Sequence, residues 1–282
     1  MSKDFQKLTI KDAFMFAAVM SDEEKCQKLL EMALNMKILR VSIVTERALS
    51  YHPQYHSVRL DVLAEEYGTR RRFNVEMQVE NEENLPHRTR YYHSQMDLDI
   101  LAAGEDYSEL PNTYVIFICD FVPFKDGKRL YRYTFRRRCD EDLRSLEDGS
   151  ITIILSTKGE NEDELPKELV HFLQYVGNPQ ELSETASKDQ YIQSLECSIA
   201  DIKRSRSWEA KFVLLEEMMN KERRFGRLDR SREAVLELLA LYGNIPEDIR
   251  LKVNEQKDEN ILKKWLLAAA KADSFDAFRK QM

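Results

Sequence analysis

The sequence lacks the features that mark several classes of protein. No apolar run approaches the ~20 residues that a transmembrane helix needs, so we predict no membrane span. The four cysteines are widely scattered and form neither a C-x-x-C motif nor a zinc-ligand spacing, which favours reduced thiols. No apolar segment of the kind found in secretory signals follows the first residues, so we expect the protein in the cytoplasm.

An excess of basic charge is also missing. The chain has 43 Lys and Arg against 50 Asp and Glu, a net charge of −7. A strongly basic chain would point directly to a nucleic-acid partner, and this one does not. The basic residues are nevertheless clustered, and a local basic stripe can bind phosphates despite a negative total. Such clusters are also typical of solvated faces, so the charge permits DNA binding without indicating it.

Two strand-like runs, residues 59–65 and 72–78, alternate polar and apolar side chains with the period of half-buried strands. Gly68-Thr69 between them suits a two-residue hairpin loop with Gly at its first central position. Counting back from this loop pairs Asp61 with Glu76. Directly opposite residues share one face, with Cβ atoms roughly 5 Å apart.

The predicted hairpin therefore brings Asp61, Glu76 and Gln78 together on one face. Their oxygens are spaced to share a divalent cation. A solvated hairpin face, with Glu76 paired to Arg70 or Arg72, would also fit the pattern. The apolar residues of both runs are expected to face the core: Leu60, Val62, Phe73, Val75, Met77 and Val79.

The same residues carry a resemblance to a known family. Asp61 followed by Glu76-Met77-Gln78 resembles the divided active-site motif of the PD-(D/E)XK nuclease superfamily, with Gln where Lys usually stands. The wider match is to the Rpn family of recombination-promoting nucleases, also described as PD-(D/E)XK nuclease family transposases, in which Gln is usual there. The matching stretches cover nearly the whole chain: residues 8–16, 58–62, 75–78, 88–92, 104–107, 114–119, 131–135 and the helical tail around Trp208.

The resemblance implies a restriction-endonuclease-like α/β core, with a mixed central sheet flanked by helices, and a metal-dependent DNA endonuclease. It implies Asp61 and Glu76 as ligands of Mg²⁺ or Mn²⁺, together with the backbone carbonyl of Met77. Gln78 takes the position of the usual Lys and can orient water or a phosphate oxygen, but it adds no positive charge. Since Gln78→Lys restores the more common residue, we expect this substitution to be tolerated.

A helix predicted from His87 to Ala103, with Gly104 as its C-cap, follows the hairpin. Arg88, Tyr91 and Tyr92 fall at i, i+3 and i+4 and share one face of it. Facing the site, Arg88 would hold a phosphate by paired N–H bonds, with Tyr92 as a hydroxyl partner. An amphipathic helix whose tyrosines pack on the sheet fits equally well, and for Tyr91 we expect packing.

Further along the chain, residues 130–138 read as a strand with one cationic face, because Arg132, Thr134 and Arg136 alternate with aromatic residues. The break at Gly177-Asn178-Pro179 predicts a domain boundary, with a nuclease-like domain at 1–177 and a helical C-terminal region at 178–282.

The helical C-terminal region carries apolar stripes that need a partner surface. That surface is either the α/β core of the same chain or a second copy in a homodimer, which would suit cleavage of both DNA strands.

A second function stays open from the sequence. The acidic total, Gln78 in place of Lys, and the absence of a recognisable helix-turn-helix or zinc finger fit a nuclease-fold protein without catalysis. Such a protein would bind DNA or a partner chain through its helical tail.

Overall fold

A six-stranded sheet forms the centre of the fold in this computed structural model, which describes residues 4–44, 62–101, 104, 106–180, 189–272 and 274–282. Its strands are β1 (Val41–Ile43), β2 (Val62–Glu66), β3 (Arg72–Gln78), β4 (Thr113–Cys119), β5 (Arg132–Phe135) and β6 (Ser150–Ser156). They are ordered β1-β2-β3-β4-β6-β5. The β3–β4 and β4–β6 pairs are parallel and the others antiparallel, so the mixed sheet is confirmed.

Helices flank this sheet and form the C-terminal part of the chain. They are α1 (Ala13–Met20), α2 (Glu23–Leu34), α3 (Leu85–Ile100), α4 (Lys167–Gly177), α5 (Gln190–Arg204), α6 (Arg206–Ala240), α7 (Glu247–Glu255), α8 (Glu259–Lys271) and α9 (Phe275–Arg279). Short 3₁₀ turns lie at Phe5–Lys7, Tyr107–Glu109 and Glu162–Glu164. None of the helices in these described ranges is long and apolar enough to cross a membrane.

Helix α3 covers one face of the sheet. Its Leu85, Tyr92 and Met96 pack in one cluster with Val115 and Phe117 of β4. Leu101 rather than Gly104 is the C-cap of this helix, so the helix ends earlier than the sequence predicted. Because side chains alternate along a strand, the neighbours of the covered β4 residues point to the opposite face.

The register of β2 and β3 is the one obtained by counting from the turn. Val62 lies opposite Val75 and Glu65 opposite Arg72. Asp61 and Leu60 lie outside the described residues, so the predicted pair of Asp61 with Glu76 stays a prediction.

The hairpin loop is longer than the two residues predicted. The Tyr67 N–H donates to the Arg40 carbonyl, and the strand pair nearest the turn is Glu66 with Arg71, whose carbonyl accepts from Glu66 N at 2.9 Å. The loop thus comprises residues 67–70. One residue added on each side of the turn leaves the pairing of all earlier residues unchanged, and for this reason the register was still correct.

Strand β3 is buried on both faces, not half-buried. Asn74 and Glu76 are buried on the polar face because α3 covers it. Phe73, Val75 and Met77 are buried on the other face. Val79 was expected in the core but is 49% exposed, since it lies beyond the end of β3.

The described chain forms two compact units, which divide between Glu209 and Ala210. Helix α5 belongs to the first unit, because the Tyr191 hydroxyl donates to the Lys25 carbonyl at 3.0 Å and Tyr175 donates to Glu196. This division lies C-terminal to the break at Gly177 that the sequence suggested as a boundary.

The second unit has an apolar core of its own. The apolar stripes of α7, α8 and the C-terminal part of α6 thus find a partner surface within the unit. The buried residues of this core are Leu228, Val235, Leu239, Ile249, Val253, Leu262, Trp265, Ala268, Ala269 and Phe278.

Candidate active site

The C-terminal end of β3 and the first half of α3 bring four of the predicted site residues together: Glu76, Gln78, Arg88 and Tyr92. Glu76 and Gln78 share one face of β3 because they are two residues apart in a strand. Helix α3 packs on this face and directs Arg88 towards both side chains. Glu76 is only 1% exposed, which is unusual for a carboxylate and requires a charged or hydrogen-bonding partner.

Arg88 is that partner. Its Nη2 donates to Glu76 Oε2 at 3.0 Å, and its Nη1 donates to Gln78 Oε1 at 2.8 Å. The Tyr92 hydroxyl accepts from Arg88 Nη2 at 2.8 Å and donates to Glu76 Oε2 at 3.3 Å. One guanidinium therefore connects two side chains of β3 with a hydroxyl one helical turn away.

Aromatic rings enclose the guanidinium. Its central carbon lies 5.4 Å from the ring centroid of Tyr92 and 5.2 Å from that of Phe117, within cation–π distance. Burial alone would lower the pKa of Arg88, but the contacts with Tyr92 and Glu76 outweigh it and raise the pKa above its ordinary value. Arg88 is therefore a fixed positive charge at this site.

These contacts exclude one of the interpretations left open by the sequence. Arg72 pairs with Glu65 at 3.0 Å rather than with Glu76, and the burial of Glu76 excludes a solvated hairpin face. Arg88 and Tyr92 face Glu76, and Tyr92 also packs on the sheet, where its ring stacks on Phe117, so Tyr92 fits both interpretations of this helix face. Tyr91, for which packing was expected, is 38% exposed.

The backbone carbonyls at the end of β3 point alternately towards β4 and β2. The Gln78 carbonyl accepts from Asp120 N at 2.9 Å, across the parallel β3–β4 pair. Successive residues of a strand direct their carbonyls to opposite sides, so the Met77 carbonyl points to the β2 side.

A family model of PD-(D/E)XK nuclease family transposases matches residues 11–205. The chain belongs to this family. The match includes the sheet, α3 and every described residue of the candidate site, and it ends close to the end of the first compact unit. Membership indicates a function of the nuclease and transposase type. No curated protein and no solved structure matches the chain.

The donor atoms of this family member suit a hard cation. In the described ranges, no three His, Cys, Asp or Glu side chains are grouped closely enough to hold a metal ion by themselves. Glu76 and Gln78 contribute a carboxylate and an amide oxygen, which fit Mg²⁺ or Mn²⁺ better than Zn²⁺. These residues would hold a divalent ion together with a second carboxylate, for which the sequence predicts Asp61.

Asn74 is a buried polar residue on the same face of β3, two residues before Glu76. Neither its Oδ1 nor its Nδ2 has a hydrogen-bond partner in the described part of the chain. An unsatisfied buried amide costs about 1–3 kcal/mol. Within the described residues, β3 thus has unused hydrogen-bonding capacity beside the buried Glu76.

Asp120 was missed by the sequence reasoning and lies directly after β4, next to Gln78. Its carboxylate binds Lys11 Nζ at 2.6 Å, Lys158 Nζ at 2.9 Å and the Thr157 hydroxyl at 2.7 Å. Partial burial opposes ionisation, but these hydrogen bonds outweigh it and lower the pKa of Asp120. An Asp at the carboxyl end of a buried parallel strand is the signal that could have found it.

Proposed function

We propose that this protein is a metal-dependent endonuclease that hydrolyses phosphodiester bonds in DNA and promotes recombination. The observation that carries the proposal is the buried Glu76 carboxylate beside Gln78 and Arg88 at the end of β3. A buried acid is costly to keep for stability alone, and perturbed charged clusters are concentrated at functional sites. Family membership makes DNA the substrate that we propose.

Asp61, Glu76 and the backbone carbonyl of Met77 are the metal ligands that we propose. The choice of Asp61 is supported by the β2–β3 register, because the described pairs follow the count that puts Asp61 opposite Glu76. When bound, Mg²⁺ or Mn²⁺ would offset charge on the phosphodiester and lower the pKa of a bound water.

Arg88 supplies the positive charge that Gln78 lacks. Its guanidinium lies 2.8 Å from the Gln78 side chain, so the cation stands next to the motif position where Lys is more common. A fixed cation there stabilises negative charge that develops on the phosphate in the transition state. The Arg88 side chain is 22% exposed, so the protein does not enclose it completely. Tyr92 holds the guanidinium in place.

A plasmid-nicking assay with Mg²⁺, Mn²⁺ and EDTA tests this function. Glu76→Gln should reduce cleavage more than ~100-fold, because it removes a metal-binding charge at nearly constant shape. Glu80→Gln is the matched control, since it makes the same change at an exposed position beyond β3 and should leave cleavage unaltered. Equal metal-dependent nicking by wild type and Glu76→Gln would contradict the proposal.

The second candidate is a nuclease-fold protein that binds DNA or a partner chain without cleaving it. The ion pair of Arg88 with Glu76 favours it, because the guanidinium already neutralises the carboxylate that a metal would use. This candidate predicts salt-dependent DNA binding in EDTA, no nicking with either metal, and no effect of Glu76→Gln on affinity.

We also propose a homodimer formed through α6. Leu214, Met218 and Phe225 fall on one face of this helix. They are 58%, 44% and 54% exposed, respectively. These three residues follow a heptad spacing and form an exposed apolar stripe. Further along α6 the same spacing reaches Leu228 and Leu239, which are buried in the core of the second unit.

The charges beside this exposed stripe suit an antiparallel pair of α6 helices. Glu217 lies in its N-terminal half and Arg224 in its C-terminal half, both bordering the apolar residues. Two-fold pairing of antiparallel helices would set Glu217 of each copy beside Arg224 of the other.

A further inference from the structure

A cavity of about 250 Å³ lies between the end of α2 and strands β4, β5 and β6. Tyr114 of β4 and Ile153 of β6 line it. Their neighbours Val115 and Ile154 pack with α3 on the other face of the sheet. The cavity is therefore on the opposite face from Glu76 and is separate from the candidate active site.

The cationic face of β5 forms one wall of this cavity. Arg132, Thr134 and Arg136 all line it, since alternate residues of a strand point to the same side. The aromatic residues between them point the other way, and Tyr133 packs against the α3-side cluster. The alternation visible in the sequence thus places two guanidinium groups and a hydroxyl along one cavity wall.

Arg132 differs from the other half-buried arginines of the first unit. Arg71, Arg72 and Arg88 each bind a carboxylate at 3.0 Å or less. For Arg132, the contact within the described chain is a long hydrogen bond to the Ala33 carbonyl, at 3.4 Å, and no carboxylate is paired with it there. Burial lowers the pKa of Arg132 with no acid to offset it.

Arg136, at the outer part of the same wall, is exposed and likewise has no carboxylate partner within the described ranges. The Ala33 contact gives Arg132 a structural use, because a cation at the C-terminal carbonyls of α2 is stabilising. This contact does not involve Arg136. Two unneutralised guanidinium groups on one cavity wall favour an anionic ligand.

The remaining walls set the size and character of that ligand. Tyr114 and Ile153 are 5% and 2% exposed and form an apolar floor. A volume of 250 Å³ is small compared with the ~300–1,000 Å³ of pockets for drug-sized ligands, so the cavity suits a small molecule. Arginine forks match phosphate oxygens in geometry as well as charge.

We propose that this cavity binds a phosphate-bearing ligand of about one nucleotide, with the phosphate on Arg132 and Arg136 and the apolar part against Tyr114 and Ile153. The phosphate comes either from a free nucleotide or from the end of a DNA strand. The site stands independently of the nuclease proposal, because it shares no residue with the site around Glu76.

Calorimetry on the full-length protein in EDTA tests the proposal, with deoxyadenosine 5′-monophosphate, inorganic phosphate and deoxyadenosine as probes. The monophosphate should bind, and deoxyadenosine should bind at least ~10-fold more weakly because it has no charge for the arginines. Arg136→Gln should weaken the monophosphate ~10-fold without affecting folding, since Arg136 is exposed. Arg138→Gln, the same change outside the cavity lining, should have no effect.

Two further measurements identify the source of the phosphate and test whether the cavity binds independently of the site around Glu76. If a 5′-phosphorylated single strand displaces the monophosphate and its unphosphorylated form does not, the ligand is the end of a DNA strand. Failure of both strands to displace it assigns a free nucleotide. Glu76→Gln should leave the affinity unchanged. Absence of binding by the monophosphate, equal binding of deoxyadenosine, or unchanged affinity in both Arg136→Gln and Arg132→Gln would overturn the proposal.

Discussion

Arg88 connects the side chains of Glu76 and Gln78 through two donor groups of one guanidinium, at 3.0 Å and 2.8 Å. At the scale of single residues, this arrangement sets a cation from α3 beside Gln78, which stands where the PD-(D/E)XK motif more often has Lys. The cation comes from the helix that covers the strand, while the strand residue presents an amide oxygen to it. The charge of the site therefore depends on both positions together.

Gln78→Lys should consequently lower cleavage, by roughly tenfold or more, because an ammonium would stand beside the guanidinium in a half-buried site. The motif alone led to the opposite expectation, that this substitution is tolerated. Nicking rates of purified variants with Mg²⁺ provide the measurement.

A double variant separates repulsion from simple misfitting of the lysine side chain. Adding Arg88→Gln to Gln78→Lys moves the positive charge from the helix to the strand, so the double variant should cleave faster than Gln78→Lys alone. A single Gln78→Lys variant as active as wild type would show that the two cations do not oppose each other.

At the scale of secondary-structure elements, His93 fixes α3 to the sheet. Its Nδ1 lies 2.8 Å from the Thr113 hydroxyl and its Nε2 lies 3.1 Å from the Thr152 hydroxyl, so one ring joins the helix to β4 and β6. Burial, with a smaller contribution from the charge of Arg137, lowers the pKa of His93 to about 4, although Asp148 opposes the shift. The folded protein therefore holds a neutral imidazole at this contact.

This neutral histidine predicts a loss of stability in mild acid. Its ordinary pKa is 6.5, so between pH 6.5 and about 4 the unfolded chain binds more protons at this residue than the folded chain does. The free energy of unfolding should fall by roughly 3 kcal/mol from this group as the pH drops through that window. The contribution is fully present above pH 6.5.

Urea unfolding at several pH values tests the His93 contribution. His93→Gln should flatten the pH dependence between pH 6.5 and 4.5, whatever its effect on stability at neutral pH. His171→Gln is the control, because the His171 side chain is 40% exposed. If the free energy of unfolding depends on pH in the same way in wild type and His93→Gln, His93 is not the source of the acid destabilisation.

At the scale of the whole molecule, the exposed stripe of α6 predicts concentration-dependent self-association. A short helix pair buries less surface than a standard interface, so we expect a dissociation constant on the order of micromolar. Leu214→Glu should shift the protein to monomer in light scattering. Val213→Glu is the matched control, since Val213 is 49% exposed but lies off the stripe.

Charge reversal tests the antiparallel arrangement itself. Glu217→Arg should weaken association, and adding Arg224→Glu should restore it, because the exchanged charges again attract across the two-fold axis. A protein that is monomeric at all concentrations, or that responds equally to Leu214→Glu and Val213→Glu, would remove α6 as the dimer contact.

The sequence by itself determined the strand pairing around the site. Alternating side chains and a turn fixed the count that sets Val62 opposite Val75, and this count held although the loop was longer than predicted. The ordered motif also determined the family, which the match to residues 11–205 confirmed. The pairing follows from local information, because strand period and turn position depend on neighbouring residues, whereas the family follows from the order of short motifs along the chain.

Only the tertiary structure decided what surrounds Glu76. The alternation of β3 showed that Glu76 and Gln78 share a face, but it gave no reason to expect that face to be buried under α3. The pairing of Asp120 with Lys11, and the cavity beside Arg132, likewise join residues that are far apart in the chain. A sequence pattern records which side of an element is polar, whereas the partner on that side depends on how distant elements pack.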